Sequence, residues 1–166
     1  MTPRRIFRIV VFVLLALVFL AALPGSLRYA YQHGGFYLFS AAFFRDLPRR
    51  LTGPGRMRFI FQPIVAVLLG IRAGKADAAA GRAPYVLGLI FGHANRAAML
   101  KDALTDLSTL IAVAILLDAV SQFLILHEVF PGAALVVGPV LIAIPYALSR
   151  ALSNRWFTLR NHPSKS

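Results

Sequence analysis

Apolar positions in this chain fall in long uninterrupted runs separated by short polar knots, with neither the strict alternation of a half-buried strand nor the mixed faces of a soluble helix. The clearest run is LSTLIAVAILLDAVSQFLIL, Leu107–Leu126. Its length of about twenty residues crosses a ~30 Å hydrocarbon layer at 1.5 Å per residue. The knot His127-Glu128-Val129-Phe130-Pro131-Gly132 follows, and Ala133–Leu148 returns as a second apolar run. Together they predict a transmembrane helical hairpin.

The same pattern organises the rest less completely. Ile9–Leu23 is apolar throughout, preceded by Arg4, Arg5 and Arg8 and followed by Pro24-Gly25. It reads as an uncleaved anchor rather than a signal peptide, because no small-x-small cleavage site follows and Ile6, Phe7 and a snorkelling Arg8 lengthen it. Ser26–Arg58 alternates aromatic clusters with arginine and suits the headgroup layer, with Gly35–Phe44 as an interfacial or re-entrant piece before the breaker-rich RDLPRRLTGPGR. Phe59–Ile71 spans only if its neighbours extend it. The short apolar Tyr85–Gly92 comes next, and His93–Asp106, with Asn95 as N-cap, reads as an amphipathic approach to Leu107. The expectation is an all-α membrane protein with about four hydrophobic helical segments, including the C-terminal hairpin, plus interfacial amphipathic helices. Its parts are an anchor at 1–25, an aromatic and arginine-rich segment at 26–58, a helical core at 59–150 and a basic cytoplasmic tail at 151–166.

One residue breaks the apolar pattern where breaking it is expensive. Asp118 lies near the middle of Leu107–Leu126, where a carboxylate costs roughly 2.5–3.5 kcal/mol on insertion scales, so it must face protein or water. Ser121 and Gln122 share its helical stripe, three and four residues on. Opposite, Gly138, Pro139 and Pro145 kink the returning helix and free the carbonyls of Leu135 and Leu141. The economical expectation is a hydrogen-bonded clamp between the two helices. A proton or ion relay, or contact of Asp118 with a partner's cation or a ligand, are the alternatives.

Composition supports the membrane reading, with 58% hydrophobic residues against about 45–50% in soluble domains. The net charge of +12 comes from 18 Lys+Arg against 6 Asp+Glu. The arginines flank apolar runs, where they meet anionic headgroups and orient helices, and they are not arranged for nucleic acid. Arginine placement puts both termini in the cytoplasm and His127–Gly132 outside, but leaves six arginines of Ser26–Arg58 on the disfavoured side. Cysteine is absent, which excludes thiolate chemistry and cysteine-ligated metals. The histidines His33, His93, His127 and His162 are dispersed, none lies mid-span, and neither haem nor another cofactor or metal is expected. Gly70-x-x-x-Gly74 and Gly88-x-x-x-Gly92 match a small-residue packing pattern that carries little information in a glycine-rich chain. No phosphate loop or nucleophile elbow is present, and the one carboxylate pair on a shared helical face, Asp102 and Asp106, reads as a solvated edge, so no catalysis is expected.

Arg58-Phe59, Gln62-Pro63, Gly70-Ile71-Arg72, Gly74, Asp77-Ala78, Gly81-Arg82 and Pro84-Tyr85, with Asp118, Gln122, Pro131-Gly132 and Pro145-Tyr146 further on, form a pattern over Arg58–Arg150. It resembles a family of small, uncharacterised bacterial inner-membrane proteins without a known activity. The chain departs from that pattern at Phe130 and Ala133, where the family carries a Tyr and an acid. The resemblance implies a bacterial inner membrane and no chemistry. The expected role is an accessory or assembly subunit that packs against another membrane protein or a second copy. The alternative is a small transporter or oligomeric pore in which Asp118 titrates.

Overall fold

The computed structural model describes residues 2–82 and 96–161. These form five helices in chain order: α1 Pro3–His33, α2 Ala41–Thr52, α3 Arg58–Ala79, α4 Arg96–Leu126 and α5 Pro131–Asn161. No strand occurs among the described residues. Stretches of α1, α3, α4 and α5 are long and apolar enough to cross a membrane, so this is an all-α membrane protein with four candidate spans. The Tyr85–Gly92 run, its glycine pair, His93, Asn95 and His162 lie outside the described residues.

Several boundaries move outward from those the sequence predicts, for one physical reason: backbone in a span stays helical because lipid offers it no other partners. Pro24-Gly25 does not end α1, which runs on to His33 and stops at Gly34, whose φ of 65° is the left-handed geometry of a C-cap. Phe59–Ile71 lengthens to the 22 residues of α3, enough to span. α4 is one continuous helix of 31 residues, and α5 continues through the basic tail to Asn161. The arginine-rich stretch after Phe44, expected to break, is the body of α2. Ser40 caps that helix by accepting the Phe43 N–H at 3.2 Å.

The chain divides into two compact units. The first comprises residues 1–60 and 109–140. Its aromatic centre has Tyr37 stacked on Phe130 with ring centres 3.9 Å apart and Tyr29 edge-on to Phe130 at 5.1 Å. Phe43 closes the cluster from α2, and Ala133 lies beneath it. Ser26 donates a hydrogen bond to the Val129 carbonyl at 3.2 Å, so the C-terminal part of α1 is docked on the turn between α4 and α5. Towards its N-terminus α1 is covered along one stripe only, with Val11 buried and Leu15, Val18, Phe19 and Ala22 half-buried. Gly138 permits α5 to approach α4 closely, since a Cβ there would lie 2.9 Å from the Ile115 nitrogen.

The second unit comprises residues 61–108 and 141–166. Here Gly70 and Gly74 face α5 directly: a Cβ on Gly70 would sit 2.6 Å from the Tyr146 carbonyl oxygen, and one on Gly74 2.9 Å from the Asn154 nitrogen. The glycine pair that looked uninformative in sequence is thus the contact line of α3 and α5. Ala66, Ile142 and Tyr146 are buried in the same unit.

Candidate functional site

The most demanding polar group of the first unit is Asp118, and it is fully buried. Arg50 Nη2 donates to both of its oxygens, at 2.9 Å to Oδ1 and 2.6 Å to Oδ2. Arg58 Nη2 lies 2.8 Å from Oδ1 as an ion-pair contact, while its Nη1 donates to the Leu117 carbonyl at 3.1 Å. Gln122 Nε2 donates to Oδ2 at 2.6 Å. Oδ2 therefore accepts two hydrogen bonds, and Oδ1 accepts one beside the Arg58 ion-pair contact.

Local sequence explains how two arginines reach this depth. α2 carries Phe43 and Arg50 seven residues apart on one face, so burying the ring also buries the guanidinium, which lies over that ring at 5.7 Å. Gly53-Pro54-Gly55 then turns the chain, with Gly55 at φ 83°. Ser121 donates to the Pro54 carbonyl at 2.9 Å and pins this turn against α4. Arg58 opens α3 one turn later and stacks on Phe59 at 4.6 Å. Gln122 carries the network outward, its Oε1 accepting the Phe130 N–H at 2.8 Å just before α5 begins.

Asp118, Ser121 and Gln122 are thus brought together, but their partners differ from those expected. Ser121 donates to the Pro54 carbonyl and Gln122 to Asp118, whereas Leu135 is half exposed. The reason is charge. A carboxylate in a dry interior gains far more from a guanidinium than from any group on the returning helix. Gly138, Pro139 and Pro145 lie within the unbroken α5, and of these Gly138 makes the close approach.

The centre is not charge-balanced. Two guanidiniums meet one carboxylate, and Arg50 Nε and Nη1 and Arg58 Nε find no acceptor among the described residues. The cation–π contacts on Phe43 and Phe59 offset part of that excess.

The second unit contains a matching device that sequence reading missed. Asp77 of α3 takes Arg150 in a forked pair, Nε to Oδ2 at 2.6 Å and Nη2 to Oδ1 at 3.1 Å, and Arg82 Nη2 at 2.9 Å. Asn154 donates to the Arg82 carbonyl at 3.0 Å, and Arg150 reaches the Tyr146 hydroxyl at 3.1 Å. The available signal was the i,i+4 spacing of Tyr146 and Arg150 facing the glycine line. Gln62, in the same unit, is 6% exposed, and neither atom of its amide has a partner among the described residues.

Elsewhere in the first unit, Tyr37 donates to Asp46 Oδ2 at 3.0 Å. Burial, reinforced by the Asp46 carboxylate, pushes the Tyr37 phenol well above its ordinary value. Among the described residues, no group of three or more His, Asp or Glu converges as a metal site. Comparison with family models, with curated proteins and with solved structures finds no match, so the reading rests on geometry alone.

Proposed function

We propose that this is a non-enzymatic multi-pass protein of a bacterial inner membrane, an accessory or assembly subunit that packs against a larger membrane complex or a second copy of itself. The observation that carries this reading is α1. Only 6% of its most apolar window is buried, against 39% for Leu107–Leu126. α1 touches its own protein along one narrow stripe, with Val11 buried and Leu15, Val18, Phe19, Ala22 and Ser26 half-buried, and offers the remainder of its circumference to other helices.

Two further points support the reading. The one acid at mid-span depth has both oxygens occupied by Arg50, Arg58 and Gln122, which suits a structural anchor. Arginines at the ends of the apolar runs suit anionic headgroups better than nucleic acid. Transport through a titrating Asp118 has less support, because any passing ion would first have to displace a guanidinium. Extraction in mild detergent followed by native mass spectrometry tests the subunit reading. A stoichiometric partner or a defined oligomer is expected, and a lone monomer rejects the idea.

A further inference from the structure

Two clefts meet at the turn between α4 and α5, both within the first unit. One, of about 480 Å³, is walled by Val18, Ala22 and Gly25 of α1 and by Ala119 and Phe123 of α4. Apart from the turn at its mouth it is hydrocarbon. The other, of about 400 Å³, is bordered by Tyr29, Asp46 and Arg49. His127 and Glu128 line both, and the left-handed backbone of His127, at φ 57°, places this pair on the shared rim.

The charges on the polar side are uncommitted. Arg49 and Glu128 are exposed, and neither enters an ion pair among the described residues. Asp46 spends Oδ2 on the Tyr37 hydroxyl and keeps Oδ1. One guanidinium and two carboxylates thus line the recess, with His127 beside them. The apolar cleft has a direction as well. It begins beside Gly25, next to the Ser26 contact with the turn, and follows α1 back to Val18. Seven residues at 1.5 Å each take it roughly 10 Å deeper.

We propose that the paired clefts hold one zwitterionic, amine-bearing phospholipid. Its phosphate meets Arg49, its primary ammonium lies between Glu128 and Asp46, and an acyl chain follows the groove of α1 and α4 towards Val18. Charge complementarity selects this class. An anionic lipid without an amine satisfies Arg49 but leaves two carboxylates facing a negative headgroup. A quaternary ammonium carries the charge but has no N–H to donate. The site does not depend on the subunit reading, since it uses one face of α1 and leaves the others free.

The test uses the full chain in nanodiscs containing equal phosphatidylethanolamine, phosphatidylcholine and phosphatidylglycerol, extracted gently and weighed by native mass spectrometry. One phosphatidylethanolamine per chain is expected, enriched about fivefold or more over each of the others. Glu128→Gln should bring it down to the phosphatidylcholine level. Gly25→Leu should empty the site while keeping wild-type helical circular dichroism, because a Cβ at Gly25 has nothing within 4 Å and the side chain enters open groove. Equal retention of the three lipids overturns the proposal, as does indifference to Glu128→Gln. Undiminished lipid in Gly25→Leu, or a polypeptide bound in place of lipid, overturns it too.

Discussion

Asp118→Asn leaves Arg50 and Arg58 buried side by side with no counter-charge, whereas Arg58→Met leaves a balanced Arg50–Asp118 pair. The asparagine variant should therefore lose about 3–5 kcal/mol, the range for breaking a buried pair from one side. The methionine variant should lose distinctly less, and denaturant unfolding in micelles gives the order. Gln62 makes the opposite case. Its amide is buried without partners, so Gln62→Leu should raise stability by about 1 kcal/mol in the same assay. Tyr37 supplies a pH dependence. Its folded-state phenol titrates above the ordinary value near 10, so the folded protein holds that proton more tightly than the unfolded chain. The stabilisation is complete below about pH 10 and declines as pH rises beyond it. Tyr37→Phe should flatten the alkaline limb of a melting-temperature profile. Sequence made Asp118 conspicuous because a charge inside an apolar run has one explanation to find. It could not supply Arg50, which is 68 residues away and sits in α2, whose other arginines, Arg45 and Arg49, are exposed.

Among the elements, the spans were legible because hydrophobic length is a local property, while their ends were not. Pro24, Pro48 and Pro63 all lie inside helices. Each removes one hydrogen bond, but around Pro24 and Pro63, within candidate spans, the neighbouring residues have nothing better to do in lipid than remain helical. α2 was hidden for a related reason: its breakers Pro48 and Gly53 masked the seven-residue repeat of Phe43 and Arg50 that buries it. Gly70 and Gly74 show how a weak motif gains meaning from what it faces. Gly74→Val must drive α3 away from Asn154 and Arg150, at a cost of about 1–3 kcal/mol, while Gly25→Leu should cost little. Thermal melts of the two variants in the same detergent decide this.

At the scale of the molecule, among the described residues two acids organise four arginines: Asp118 takes Arg50 and Arg58, and Asp77 takes Arg82 and Arg150. A chain with 6 acids against 18 basic residues thereby ties its long-range contacts to its scarcest charge. The excess of arginine between Ser26 and Arg58, which disagreed with the usual sidedness of basic loops, is partly withdrawn from the surface because Arg50 and Arg58 are buried.

The 68 residues between Arg50 and Asp118 also set an order of events during synthesis. At about 5–20 residues per second, α2 is complete several seconds before its counter-ion exists. Through that interval Arg50 lacks the carboxylate that pairs with it in the folded protein, so its burial has to wait. Emergence of α4 ends the wait. Asp118 thus works in time as well as in space, as a late latch that admits the earlier segment only once the hairpin has begun to form.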